Sequence, residues 1–183
     1  NPPSLFAYID YLLLTGNMLF FNVQEDAMNT HAQAMVLASF LGDSLALGAH
    51  WIYDTQKIEN QFGRIEQLLA PAPDSYHPKR SRGEFTHYGD QSFLLLKTLA
   101  SHKKYDPLVF ADAWRRFIST YDGYLDKASK DTLQAMTEGK DLTGSGSGSS
   151  DLGGPARMAP LVFLYQNKLE ALLQAVDSAT RIT

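Results

Sequence analysis

The chain has 183 residues, 44% of them hydrophobic and 20% charged, enough for one domain to bury a core without disulfide or metal staples. It contains no cysteine, which excludes thiolate catalysis, zinc ribbons and disulfide frameworks and leaves a reducing cytoplasm as the default compartment. A formal net charge of -4, with basic residues gathered only in the "HPKRSR" run from His77 to Arg82, gives no electrostatic reason to bind nucleic acid.

The opening run "SLFAYIDYLLLTGNMLFFNV" has the composition of a membrane or signal segment. Asp10 lies inside it, Gly16 and Asn17 interrupt it, and it lacks a basic n-region and a small-residue cleavage site, so no membrane span is expected. Met28 opens a segment that reads as a natural start. Residues 1–27 are therefore expected to be an apolar extension packed on the core or on a neighbouring subunit, a possible route to a homo-oligomer, and residues 28–183 a helical domain.

No sustained period-two alternation appears, and helical patterns recur instead. Asn29 or Thr30 can cap a helix running to about Gly48, apolar almost all round and so expected to be buried among others. Within it Ala34, Ala38, Gly42 and Ala46 form a small-residue stripe that would let another helix approach closely. Trp51 to Arg82 reads as a long irregular connection punctuated by Pro71, Pro73 and Pro78. Further helices are expected at about Gln91 to His102, Pro107 to Tyr121, Lys127 to Glu138 and Pro155 to Ala179, giving an all-α domain. Between the last two lies "TGSGSGSSDLGGP". It reads either as a flexible linker or as a glycine-rich loop whose backbone N–H groups, ahead of a helix opened by Pro155, cradle phosphate. No Lys-Ser or Lys-Thr pair follows it, so it is not a Walker-type loop.

Three polar positions stand in apolar surroundings. Asp43 falls within the first helix, with Ser39 four residues before and His50 seven after, on one face if the helix persists past Gly48. A buried carboxylate needs a partner, and the structural alternative for Asp43 is an acceptor for another segment's backbone that pins two helices together. His50, beside Trp51, reads as a packed, hydrogen-bonded histidine. In "HYGDQSF", Asp90 precedes an apolar run and reads either as a helix cap or as a weak, single-carboxylate magnesium ligand.

Together "FLGDSLALGAHWIYD", "HYGDQSFLLLKTLA", "YDGYLDKASKDTL" and "GGPARMAPL" resemble the ADP-ribosylglycohydrolase family from about residue 30 onward, nearest in wording to its J-type crystallin branch. The resemblance implies an orthogonal all-α bundle around a dinuclear magnesium or manganese cleft, and hydrolysis of the bond joining ADP-ribose to an acceptor. Gly42 and Asp43 match the family's Gly-Asp pair. His50 stands where the family has a glutamate, and Tyr88, Gly89, Asp90 and Gln91 where it has Thr-Asp-Asp-Thr, leaving Asp90 as the metal ligand and Asp43 and His50 as the catalytic pair. Ser147, Gly148, Ser149, Ser150, Gly153, Gly154 and Arg157 match its phosphate and ribose loop. ADP-ribose or an ADP-ribosylated substrate is the implied partner. Family members run on for about another hundred residues, carrying a second acidic motif, so the bundle is expected to be incomplete at Thr183. A non-catalytic, crystallin-like protein is the alternative.

Overall fold

The computed structural model describes residues 27–183, so the apolar extension, apart from Ala27, lies outside the described residues. Helix α1 spans Ala27–Ala46 and runs into a 3-10 turn, Leu47–Ala49. It is already helical at Ala27, ahead of the caps expected at Asn29 or Thr30. Its packed row is Val36, Phe40, Ser44 and Leu47. The small-residue stripe Ala34, Ala38, Gly42 and Ala46 faces outward, and a Cβ on Gly42 would meet nothing within 4 Å. The expectation of a fully buried helix with a stripe-borne neighbour is therefore corrected among the described residues. In a helix apolar all round, periodicity cannot choose a face, and the bulkier row buries more area. The span His31–Ala49 is long and apolar enough to cross a membrane by composition, yet its Val36 and Phe40 side packs on protein.

The central helix is α3, His87–His102, whose residues Gln91, Ser92, Phe93, Leu95, Thr98 and Leu99 are buried. It starts four residues earlier than the expected Gln91 because Thr86, extended at ψ 173°, accepts from the Tyr88 N–H and caps it. Asp90 thus sits in the first turn and is not the cap. Around α3 pack α1, then α4 (Pro107–Ser119) and α6 (Ala159–Tyr165). Helix α4 is opened by Pro107 behind an Asp106 cap and buries Phe110, Ala111, Trp114 and Ile118, one stripe at helical spacing. Helix α5 (Lys127–Thr137) is capped by Asp126 and leans on α4.

Two elements differ from expectation. The "irregular" connection holds a short helix α2, Thr55–Phe62, capped by Asp54 and closed by Gly63 at φ 60°. The single helix expected over Pro155–Ala179 is three pieces: a 3-10 turn Pro155–Arg157, α6, and α7 (Leu169–Thr180). Pro160 can only open a helix, which resets the chain there, and the Gln166–Lys168 turn makes α7 fold back on α6. The main core gathers Leu95, Leu99, Phe110, Trp114, Ile118, Leu161 and Ile182; a second, smaller cluster joins Val36 and Phe40 to Phe85, Phe93 and Phe163.

Candidate functional site

The C-terminal end of α1 meets the N-terminal turn of α3, and there the sequence-predicted residues gather. Asp43 accepts hydrogen bonds from the Thr86 N–H (2.8 Å) and hydroxyl (2.6 Å), the pinning role weighed from the sequence. Burial raises its carboxyl above the usual carboxylate range, with the Thr86 bonds opposing. Gly89 is required by this approach, since a Cβ there would overlap the Asp43 carboxylate. Ser39 bonds its own helix at the Val36 carbonyl. The helix ends before His50, whose ψ of 127° is not helical, so Ser39, Asp43 and His50 do not share one helical face.

Asp90 is held from outside α3. Arg80 Nη2 lies 2.6 Å from Asp90 Oδ2 and 2.5 Å from the Tyr121 hydroxyl, which donates at 2.6 Å to the same Oδ2. Burial pushes the Asp90 carboxyl up to about 6 against the opposing Arg80 charge, so it is ionised at neutral pH. The expected divalent ion asks for several unencumbered oxygen donors. Here Asp43 is committed to Thr86 and Asp90 to Arg80 and Tyr121, Tyr88 and Gly89 supply no carboxylate, and no group of three or more His, Cys, Asp or Glu residues suited to a metal occurs among the described residues. Among the described residues, this donor set does not fit magnesium or manganese.

A histidine cluster occupies the other side. His50 Nδ1 and His77 Nε2 are 2.6 Å apart, so one ring donates to the other, and the rings stack at 4.9 Å. Trp51, at φ 64° in the left-handed region that costs a bulky residue about 1–3 kcal/mol, stacks on His50 at 4.6 Å and meets Tyr76 and Tyr124 edge-on near 5 Å. His87 is fully buried with Nε2 3.4 Å from Asp126 Oδ2. Burial alone would raise Asp126, but bonds from His87 and Ser129 hold it well below its usual range. Burial, with neighbouring imidazole charge, lowers His50 to about 4 and His77 to about 3, so both are neutral at pH 7.

These shifts have a stability consequence. Unfolded histidine titrates near 6.5, so between pH 6.5 and about 4 the unfolded chain binds protons that the folded pair refuses, and stability falls as pH falls. Asp90, raised, works in the opposite sense from pH 6 downward. Because the two rings are coupled by direct contact, the pair is expected to contribute about 2 kcal/mol of acid destabilisation rather than the sum of two independent shifts. Thermal midpoints between pH 7 and 5 should fall less in His77→Gln than in the unsubstituted protein; equal slopes would contradict this.

The Gly/Ser segment is an ordered turn rather than a free linker. Ser145 donates to the Asp141 carbonyl, and the Ser149 and Asp151 N–H groups bond Ser147 and Ser149 hydroxyls. Gly146 lies against the Arg181 carbonyl at the end of α7, and Gly154 against Thr180. Pro155 opens only a three-residue 3-10 turn, which removes the long-helix dipole from the phosphate argument. Ser147, Gly148, Ser149 and Ser150 are partly or wholly exposed. Arg157, expected at the ligand, is buried instead: Nη1 donates to Gln91 Oε1 at 2.7 Å and Nη2 to the Ala179 carbonyl at 3.3 Å and to the Thr183 hydroxyl.

The expected residues therefore divide among three recesses. Asp90 lines one of about 480 Å³ with Lys79, Arg80 and Tyr121. His50 and Trp51 line another of about 360 Å³. Ser149, Gly153, Gly154 and Arg157 border a crevice barely large enough for a water. Tyr88 links the last two, its ring against Gly153 and edge-on to His50 at 5.9 Å. His77, His87, Arg80, Tyr121 and Asp126 escaped the sequence reading. The signal available was the density of aromatic and histidine residues in "YHP", "THYGD" and "YDGYLD".

A family model described as ADP-ribosylglycohydrolase matches residues 24–183. Crystallin J1A and crystallin J1B of Tripedalia cystophora are similar at 24% and 23% identity over 175 residues, covering 88% of this chain and 54% of each crystallin. A protein of Archaeoglobus fulgidus is similar at 23% over 149 residues, 81% of this chain and 47% of its own length. The chain thus spans about half the length of the curated relatives it matches.

Proposed function

Because the chain belongs to the ADP-ribosylglycohydrolase family, we propose that the protein hydrolyses the glycosidic bond of an ADP-ribosyl group with His50 as general base, and without a divalent ion at Asp90. The observation that carries this reading is His50 itself. It stands where the resemblance places a glutamate, lines an open cavity of about 360 Å³, within the size range of ligand sites, and is lowered to about 4. That basicity is close to a glutamate's, roughly 4.3, and the ring keeps a lone pair free of protons at neutral pH. In this role the His50 Nδ1–H donates to His77 Nε2 across their 2.6 Å contact, which fixes the ring and leaves His50 Nε2 as the unprotonated nitrogen, with no protein partner among the described residues. Trp51 and Tyr76 form an aromatic wall for the ribosyl or adenine group.

In the proposed step a water gives a proton to His50 Nε2 as its oxygen attacks the anomeric carbon, and the acceptor leaves with the electron pair of the broken bond. A positioned base of this kind supplies about 10²- to 10⁴-fold. Asp43 acts at one remove by locking α1 to the cap of α3, which sets where the His50 turn begins.

A second reading is favoured by one specific observation, the intramolecular partners already held by Asp43 and Asp90. Read this way, the protein resembles its crystallin relatives, keeps the scaffold, and has a structural or ADP-ribose-binding role. Incubating the intact protein with a mono-ADP-ribosylated peptide separates the two: release of ADP-ribose supports hydrolysis, and its absence supports the scaffold reading.

A further inference from the structure

We infer that Arg80 is a resident cation standing in place of a divalent ion at Asp90, closing this carboxylate to magnesium and manganese. The inference rests on family membership and geometry and holds whether or not the protein hydrolyses its ligand.

Three features show a built arrangement rather than a casual surface pair. The Arg80 and Asp90 side chains are only 9% and 16% exposed, whereas the other arginine and lysine pairs described have a cationic partner at least 43% exposed. Arg80 Nη2 donates to Asp90 Oδ2 and to the Tyr121 hydroxyl, and that hydroxyl donates to the same Oδ2, closing a three-membered ring of contacts. Gly123 makes room for it: a Cβ there would lie 2.6 Å from the Tyr121 ring and 3.0 Å from Arg80 Nη2. A neighbouring pair repeats the same docking, Lys79 with Asp122, while the Arg80 N–H closes its own turn on the His77 carbonyl at 3.0 Å. The "HPKR" turn is thereby pinned to the "YDG" turn after α4, and Arg80 is aimed at Asp90. A fixed guanidinium supplies positive charge with no dehydration step and no dependence on free ion concentration; it and Tyr121 occupy Oδ2, and its charge beside Oδ1 opposes a second cation on that oxygen.

The test counts bound manganese by the loss of the free-ion electron paramagnetic resonance signal. In the intact protein the count is expected to be the same with Asp90→Asn as without it. Arg80→Met, which removes the charge while keeping a buried apolar stem, should gain saturable binding on the order of millimolar, and Arg80→Met combined with Asp90→Asn should lose it again. Manganese binding by the unsubstituted protein that disappears with Asp90→Asn would overturn the inference, as would a folded Arg80→Met that gains nothing. Should Arg80→Met fail to fold, the comparison of the unsubstituted protein with Asp90→Asn decides alone, equal counts supporting the inference and unequal counts overturning it.

Discussion

Replacing His50 by alanine is expected to slow release of ADP-ribose from an ADP-ribosylated peptide by about 10²- to 10⁴-fold while changing the affinity for free ADP-ribose little. The size follows from what the ring would do. It makes no ion pair at neutral pH, being lowered to about 4, and its loss removes an acceptor for the water's proton rather than a large area of ligand contact. His50→Glu is the informative partner, because a carboxylate of similar basicity should restore part of the rate. His77→Ala should act through His50, loosening the ring that the 2.6 Å contact holds and lowering turnover without abolishing it. Unchanged turnover in His50→Ala would remove the imidazole from the chemistry.

The largest effect on folding is expected at Gln91. Its Oε1 accepts from the Trp114 indole at 2.7 Å and from Arg157 Nη1 at 2.7 Å, in surroundings where Trp114 is fully buried and Arg157 is 2% exposed. Gln91→Leu keeps the volume but leaves an indole N–H and part of a guanidinium without an acceptor, and burial has already lowered Arg157 to about 10. Breaking a buried charged contact from one side costs about 3–5 kcal/mol. Denaturant unfolding of Gln91→Leu should show a loss of that size, and adding Arg157→Met, which removes the stranded charge, should recover a good part of it. A loss below about 1 kcal/mol would mean that water or backbone replaces Gln91.

Much of this architecture is legible in the sequence. The helices from Pro107 and Lys127 were legible from their apolar spacing, and the structure keeps both starts, behind caps at Asp106 and Asp126; the run from Pro155, read as one helix, is three pieces. The family resemblance and the all-helical class were legible from four separated blocks. Harder to read was which helix is central. Both α1 and α3 are apolar over most of their circumference, and only long-range packing puts α3 inside and leaves Leu37 and Leu41 of α1 42% and 51% exposed.

The site was legible only along the chain. Asp43, His50 and Asp90 were singled out because they are polar in apolar runs, yet each is defined by a partner far away in sequence. Thr86 lies 43 residues from Asp43, His77 27 from His50, and Arg80 comes from a run noted only as a gathering of basic residues. Arg157 shows the same limit in reverse: matched to a ligand loop by position, it faces inward because Gln91 and the end of α7 offer acceptors there. Pairing across tens of residues is set by tertiary packing, which neither periodicity nor motif spacing encodes.

Hydrolysis by His50 needs no divalent ion at Asp90. The most direct measurement is the rate of ADP-ribose release by the intact protein from an ADP-ribosylated peptide, in excess chelator and again with magnesium in place of chelator. The same rate in both is predicted, with Arg80 already seated on Asp90 and His50 taking the proton; turnover abolished by the chelator and restored by magnesium would contradict it.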